Sequence, residues 1–185
     1  MAVLQVVTWP AKVLETSAAE VTVFDGELAK VAADMHETMR VSGGVGLAAN
    51  QVGLLLRVVT AFIPWSEPGE GEESEPREVW HDTPLTFVNP VIVRKAGKVR
   101  WQEGCLSFPG IYEFVERSAE VTVKALDAQG KPFEMQTRGL LAICMQHEVD
   151  HLDGIVFINR MSRLKAAFIR KKIMRQVPSE SSLEA

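Results

Sequence analysis

The stretch 139–154, GLLAICMQHEVDHLDG, contains two histidines four residues apart and a glutamate beside the first of them. A glycine such as Gly154 often follows the last turn of a helix, because it adopts a left-handed backbone without strain. We therefore predict a helix that begins at about Thr137 or Gly139 and ends at Asp153. The two histidines then share one helix, and their spacing decides how they face each other.

The spacing of His147 and His151 allows both imidazoles to bind one metal ion. Residues four apart on a helix differ by about 40° around the axis and by about 6 Å along it. Glu148 lies beside the pair, where it can move a proton, as in the metal-binding pattern HExxH. The alternative is a pair of exposed histidines, or of core histidines with satisfied hydrogen bonds, but the pattern favours a metal site.

A catalytic metal site also needs a third protein ligand and an open coordination position. Cys144 is close in sequence, but an ion between His147 and His151 would lie about 7 Å from it along the axis, beyond the roughly 5 Å that a cysteine can reach. Cys105 lies in EGCLS, residues 103–107, where a glycine permits close backbone approach and a turn can present a thiolate. We predict Cys105 as the third ligand and Cys144 as a pocket or core residue.

Residues 44–51, GVGLAANQ, form a second stretch with an unusual composition, rich in small residues and ending in an amide. A nucleotide-binding fingerprint would need a preceding strand and a further glycine at the start of a helix. This stretch instead follows a predicted helix and continues with alanines. Its backbone can approach a substrate closely, and Gln51 can donate a hydrogen bond there.

Capping residues and apolar patterns predict the other elements. Asp25 is suited to cap a first helix that runs to about Val41, and Ser162 a last helix that runs to about Gln176. A turn is expected at Gln129–Gly130. Buried strands are predicted from aliphatic and β-branched runs at 54–63, 85–93 and 119–125.

The composition is that of one ordinary globular domain. Of 185 residues, 46% are hydrophobic and 24% are charged, and the formal net charge of -4 does not favour a general nucleic-acid binder. Apolar runs such as 54–56 and 155–158 are far too short to span a bilayer. No secretory signal is visible at the N-terminus, so we expect a cytoplasmic protein.

Taken in order, GVGLAANQ, EGCLS and HEVDH resemble the motifs GxGLAAxQ, EGCLS and HExDH of the peptide deformylases. The resemblance implies an α+β fold, in which mixed or antiparallel strands wrap around a central helix that carries HEVDH, with a further helix at the C-terminus. It implies one catalytic domain over residues 1–177, followed by a flexible tail over 178–185. The acidic segment 64–82 departs from the family pattern, and we predict an exposed loop insertion there, or alternatively a lid or docking element.

By the same resemblance, the protein would be a metal-dependent hydrolase that removes the N-formyl group from the initiator methionine of new polypeptides and releases formate. Cys105, His147 and His151 would hold one divalent metal ion. The family's usual ion is ferrous iron, and zinc, nickel or cobalt can occupy such a site.

The resemblance also assigns the proton transfers and the stabilisation of charge. Glu148 would accept a proton from the attacking water and pass it to the departing amine. The Gln51 side chain and the Leu106 backbone N–H would stabilise the charge that develops on the formyl oxygen. Glu103 is expected to pair with Arg117 and so steady the loop that carries Cys105. An ordinary surface ion pair with no role at the metal site is the alternative.

N-formylmethionyl nascent peptides are the expected substrates. Each pocket residue could instead be ordinary core. The positions that match the family's binding pocket are Val45, Gly46, Trp101, Leu140, Ile143 and Cys144.

The last helix is strongly basic, which is usually the mark of a solvated face. In the resembled family this helix can dock on the ribosome, so ribosomal RNA is a possible partner. Its basic residues are Arg163, Lys165, Arg170, Lys171, Lys172 and Arg175.

Two other functions are compatible with parts of the pattern. An HExxH metallopeptidase would cut internal peptide bonds with the same ion and glutamate, but such enzymes generally use His or Glu as the third ligand. A structural metal module would need a fourth ligand, for which His36 and His81 are the remaining histidines.

Overall fold

The computed structural model describes residues 1–63, 65–68, 78–81 and 83–175, with side chains described outside the acidic segment 64–82. The helices are α1 (Gly26–Val41), α2 (Gly139–Leu152) and α3 (Arg163–Met174), and 3₁₀ turns lie at Lys12–Glu15, Ala49–Val52 and Phe157–Arg160. The strands are β1 (Gly46–Ala48), β2 (Val58–Ala61), β3 (Trp65–Pro68), β4 (Glu78–His81), β5 (Leu85–Ala96), β6 (Val99–Gly104), β7 (Tyr112–Arg117), β8 (Glu120–Leu126) and β9 (Pro132–Arg138).

Helix α2 lies at the centre of the molecule. Every residue from Leu141 to Leu152 is buried, and the helix contacts β1, β2, β5, β8 and β9. A helix surrounded in this way needs apolar residues on all its faces, which the sequence LLAICM supplies in its first turns. The expected α+β fold with HEVDH on a central helix is therefore confirmed.

Five strands form an antiparallel sheet in the order β1-β2-β5-β8-β9. Successive residues of a strand point to opposite faces. Val58 of β2 packs with Met35 and Met39 of α1, whereas Val59 packs with Met145 of α2. The sheet is thus covered on both faces at β2, which explains why all four residues of that strand are buried.

Strands β6 and β7 form a separate antiparallel ribbon, in which Gly104 and Tyr112 are the last paired residues before the connecting turn. Alternation along the ribbon buries Glu103 and Arg117 and exposes Phe114. Because β6 ends at Gly104, the next residue, Cys105, begins the connecting turn.

The predicted helix ends agree with the structure. Asp25 caps α1 by accepting hydrogen bonds from two backbone N–H groups, and Ser162 caps α3 by accepting one, from Lys165 N–H. Gly154 follows α2 with a φ of 73°, and Gly130 turns the chain between β8 and β9 with a φ of 81°. The strands β6, β7 and β9 were not predicted, because their alternating charged and apolar residues resemble an irregular segment when no partner strand is known.

The predicted loop at 64–82 differs from the structure in part. Strands β3 and β4 pair antiparallel within it, and Val79 and Trp80 are residue types that favour extended backbone. Residues 64, 69–77 and 82, and the predicted tail at 178–185, lie outside the described residues. In the part of the chain that is described, no helix is both long and apolar enough to cross a membrane.

Candidate metal centre and its pocket

Cys105, His147 and His151 converge at one point. One ligand atom from each lies within 4.8 Å of the other two, and Sγ of Cys105 is 3.2 Å from Nε2 of His151. The helical spacing of four residues brings the two imidazoles together, with ring centroids 4.9 Å apart. Cys144 is not part of this cluster, since its thiol faces the Val45 carbonyl instead.

The turn after β6 places Cys105 beside α2. It is closed by a backbone hydrogen bond of 2.9 Å from Phe108 N–H to the Cys105 carbonyl. The ring of Tyr112 covers the preceding residue, Gly104, where a Cβ would lie 2.7 Å from the ring. A glycine is therefore required beside the cysteine for the aromatic ring to pack there.

The orientation of His147 is set by Glu103. Nδ1 of His147 lies 2.8 Å from Oε2 of Glu103, and Arg117 donates to both oxygens of the same carboxylate, at 2.6 and 3.0 Å. Burial opposes ionisation of Glu103, but its hydrogen bonds with His147 and Arg117 lower its pKa to about 2. An ionised carboxylate at Nδ1 fixes the proton there and leaves the lone pair of Nε2 for an ion.

His151 is completely buried. Burial, followed by the nearby His147 and Arg117, lowers the pKa of His151 well below its usual value. The neutral form is the one that binds a metal ion. Asn50 donates a hydrogen bond to the backbone carbonyl of His151 and so ties the end of α2 to the 3₁₀ turn after β1.

These donors fit a divalent transition-metal ion. A thiol and two imidazoles suit iron, zinc, nickel or cobalt better than calcium or magnesium, which prefer oxygen ligands. The spare histidine His36 takes no part, since its Nε2 lies 2.9 Å from the Thr86 hydroxyl. The side chain of His81 lies outside the described residues.

Glu148 sits beside the cluster with its carboxyl group buried. Burial raises the pKa of Glu148 to about 7, and Oε2 has no hydrogen-bond partner among the described residues. A carboxyl group with a pKa near neutrality can both accept and donate a proton under physiological conditions. The group therefore has the properties of a general acid and base.

The amide of Gln51 is oriented by the backbone. Its Oε1 accepts a hydrogen bond of 2.8 Å from Ala48 N–H, which turns Nε2 toward Sγ of Cys105 at 3.5 Å and Oγ of Ser107 at 3.4 Å. The donor end of Gln51 therefore faces the metal cluster. Leu106, next to Cys105, packs closely on Gly44, so the two glycine-containing motifs meet here.

A cavity of about 490 Å³ opens onto the cluster. Its rim carries three apolar side chains that are partly exposed: Val45 at 43%, Trp101 at 38% and Leu140 at 38%. Ile143 and Cys144 are buried deeper in the same cavity. Partly exposed apolar residues of this kind are not core residues, and they give the cavity an apolar entrance.

Other lining residues were missed by the sequence reasoning. Phe108, Ile111 and Tyr112 also line the cavity, because they lie in or next to the turn that joins β6 to β7 and carries Cys105. Their nearness to EGCLS in sequence was the available signal. Asp150, which accepts a hydrogen bond from Arg117, was given no role although it belongs to the HEVDH motif. Arg160, which donates to Asp150, lies outside the three motifs, and its sequence carried no signal.

Comparison with known proteins gives a consistent result. Residues 3–167 match the family described as polypeptide deformylase. The peptide deformylase of Chromobacterium violaceum is 45% identical over 176 residues, covering 95% of this chain and 97% of that protein.

Solved structures of the same kind share the fold. The peptide deformylase from Ehrlichia chaffeensis in complex with actinonin superposes with a TM-score of 0.83 at 36% identity, covering 97% of this chain and 100% of that one. The Met-Ala-Ser-bound class I type b enzyme from Acinetobacter baumannii gives a TM-score of 0.74 at 35% identity, covering 86% and 99%.

Proposed function

This chain belongs to the polypeptide deformylase family, and we propose that Cys105, His147 and His151 hold its metal ion. Peptide deformylases are metal-dependent hydrolases that remove the N-formyl group from nascent polypeptides. The observation that carries the assignment is the convergence of the three ligand atoms within 4.8 Å, beside Glu148 and on the wall of an apolar cavity. A bound divalent ion supplies Lewis acidity, which makes water a nucleophile at neutral pH.

Glu148 acts as the proton carrier in this proposal. Its carboxylate accepts the proton of the attacking water and then donates it to the amine nitrogen as the C–N bond of the formamide breaks. The products are formate and a peptide with a free N-terminus. The buried, unpartnered Oε2 supports this role, since no other described group competes for it.

Gln51 and Leu106 stabilise the negative charge that develops on the formyl oxygen. The Gln51 side-chain amide is held with its donor toward Cys105, and the backbone N–H of Leu106 belongs to the same turn. Donors that are oriented before the reaction need no reorganisation during it, which is the source of their effect.

The apolar cavity accommodates the methionine side chain. Val45, Trp101 and Leu140 supply the entrance, and Ile143 and Cys144 the inner wall. Gly46 leaves room between this wall and Glu148. The A. baumannii enzyme is Met-Ala-Ser-bound, which supports a peptide with an N-terminal methionine as the occupant here.

We assign ferrous iron as the native ion, on the strength of the three motifs shared with the family. The thiol and imidazole donors also admit zinc, nickel and cobalt. The test is anaerobic purification, followed by metal analysis and formate release from formyl-Met-Ala-Ser on the same sample. Iron at one equivalent with rapid formate release is expected, and endoproteolysis without formate would contradict the proposal.

Helix α3 is proposed as the contact with the ribosome, in the cytoplasm where polypeptides emerge. Leu164 and Phe168 are 84% and 70% exposed on this basic helix, whereas Lys165 and Arg170 are engaged with Glu113 and Asn159. Reversing the charge of Lys171 and Lys172 should abolish co-sedimentation with ribosomes at low salt and leave hydrolysis of a short peptide unchanged.

One catalytic domain over residues 1–177 completes the proposal. The family match over residues 3–167 supports it.

A further inference from the structure

Asp150 forms ion pairs with two arginines. Nη1 of Arg117 lies 2.5 Å from Oδ2 of Asp150, and Nε of Arg160 lies 2.9 Å from the same oxygen, while Nη2 of Arg160 binds Oδ1. Asp150 is only 6% exposed and lies on α2, between the two histidines of the metal cluster. Both of its oxygens are therefore committed to guanidinium groups.

Further contacts connect Asp150 to the three candidate metal ligands. Arg117 also donates to both oxygens of Glu103, and Glu103 holds Nδ1 of His147 at 2.8 Å. The result is a continuous series of charged contacts, the ionic chain, that consists of Arg160, Asp150, Arg117, Glu103 and His147. Only Arg160 lies partly in solvent, with 42% of its side chain exposed.

The carboxylate and guanidinium charges of the ionic chain balance only when Arg160 is present. Asp150 and Glu103 supply two buried negative charges, and Arg117 supplies one buried positive charge. Without Arg160, two buried carboxylates would share one guanidinium, and each shared contact would be weaker. Arg117 would then be drawn toward Asp150 and away from Glu103.

The turn that carries Arg160 contacts the metal site at a second point. Phe157 begins the same 3₁₀ turn, is buried, and places its ring 5.8 Å from the ring of His147. One short segment therefore touches His147 directly through Phe157 and indirectly through Arg160. The contact through Phe157 is independent of the ionic chain.

We propose that Arg160 is a positioning residue for the metal centre. By neutralising Asp150 it leaves Arg117 free to hold Glu103, and Glu103 in turn fixes the ring of His147. The inference rests on the proposed role of His147 as a metal ligand. It extends the site to a residue far from the substrate cavity and outside the three sequence motifs.

The chain offers a matched control. Arg160 lines a second cavity, of about 430 Å³, on the side of α2 away from the substrate. Arg57 lines the same cavity and pairs with Asp153 just after α2, at 2.8 Å. It has the same charge and a carboxylate partner, but it makes no contact with the ionic chain among the described residues.

The experiment compares the Arg160→Gln, Arg160→Lys and Arg57→Gln proteins after loading with Co²⁺. The measurements are the rate at which a chelator captures the ion and the visible absorption of the loaded site. Outer partners of a metal ligand typically change affinity by about 10- to 100-fold, so the more remote Arg160→Gln should speed release by about three- to tenfold. The release rate of Arg160→Lys should lie between those of Arg160→Gln and the wild type, and the release rate of Arg57→Gln should equal that of the wild type.

Whether Arg160→Gln releases the ion faster or slower distinguishes the positioning of His147 from a direct effect of the charge on Asp150. An uncompensated Asp150 would by itself attract a cation and slow the release, so slower or unchanged release in Arg160→Gln overturns the proposal. Equal acceleration in Arg57→Gln also overturns it. Arg160→Gln introduced into a Glu103→Gln protein should not change the rate of release further. If the three- to tenfold acceleration persists there, Arg160 acts by another route and the proposal is overturned.

The wild-type protein separates this inference from the proposed function. If it fails to bind one Co²⁺ with a thiolate-to-cobalt absorption band, the ligand assignment itself is wrong and the inference falls with it. Normal binding by the wild type with unaltered release from Arg160→Gln rejects only the role of Arg160.

Discussion

Gly46 and Glu148 meet at the floor of the substrate cavity. A Cβ added to Gly46 would lie 2.7 Å from Oε1 of Glu148 and closer still to Sγ of Cys144. Strand β1 can therefore approach α2 only because this residue has no side chain. The contact joins the first motif to the third, although about a hundred residues separate them.

Gly46→Ala should displace the Glu148 carboxyl group and lower kcat, because a shift of about 1 Å in a catalytic group can cost about a hundredfold in rate. Metal content should be unchanged, since the atoms nearest to an added Cβ belong to Cys144 and Glu148 and not to the three ligands. The control is Gly26→Ala, where a Cβ would meet nothing within 4 Å. Steady-state formate release measures both, and a fully active Gly46→Ala protein would show that the carboxyl position is not critical.

Glu148→Gln should retain the metal and lose the reaction. Glutamine has nearly the same shape but cannot carry the proton, and positioned acids and bases contribute about 10²- to 10⁴-fold. The measurements are metal analysis and formate release on one preparation. Retained activity with this variant would point to another proton carrier, and loss of the metal would indicate a structural role for the carboxylate.

Cys105→Ser should lose most of its metal during dialysis, because a hydroxyl is a poor ligand for the ions that a thiolate favours. Cys144→Ser is the matched control and should keep its metal, since that thiol lies outside the cluster. Metal-to-protein ratios after dialysis decide the question. The opposite pattern, with the metal lost from Cys144→Ser alone, would exchange the roles of the two cysteines.

Gln51→Ala should lower kcat by about 10²- to 10³-fold, the usual cost of losing one donor to a developing oxyanion. Gln51→Glu is a sharper variant, because it keeps the oxygen that binds Ala48 N–H and replaces the donor with a negatively charged acceptor. Gln51→Glu should lose at least as much activity as Gln51→Ala, because its carboxylate also repels the developing negative charge. An active Gln51→Glu protein would show that the residue acts through its contact with Ala48 alone.

Asp25→Ala should lower the free energy of unfolding by about 1 kcal/mol, the typical effect of removing an N-cap. Asp25 accepts hydrogen bonds from Glu27 N–H at 3.0 Å and Leu28 N–H at 3.1 Å, and serine can replace both. Urea denaturation at fixed metal occupancy should show the loss in Asp25→Ala and its recovery in Asp25→Ser. Formate release should be equal in all three proteins.

Local features of the sequence predicted the helices and their ends. Asp25, Ser162 and Gly154 act on backbone groups within a few residues of themselves, so their effect is visible without a fold. The spacing of His147 and His151 is likewise a property of one helix. The distance along that helix then excluded Cys144 and directed attention to Cys105.

The strands that carry the site were harder to predict. Glu103 and Arg117 lie on β6 and β7, whose charged residues alternate with apolar ones and become buried only when the ribbon packs onto α2. The Glu103–Arg117 pair was expected, but its burial and its contact with His147 were not. A strand's pairing partner is set by distant residues, and a single segment does not reveal it.

The sequence by itself determined the helix that carries HEVDH, the glycine that ends it and the chemical types of the metal ligands, because these depend on neighbours within one or two turns. Only the tertiary structure decided which groups surround those ligands. Asn50 reaches the carbonyl of His151 across 101 positions, and Arg117 reaches Asp150 across 33. Such contacts form when separate elements are packed together and buried charges must find partners, which local sequence does not specify.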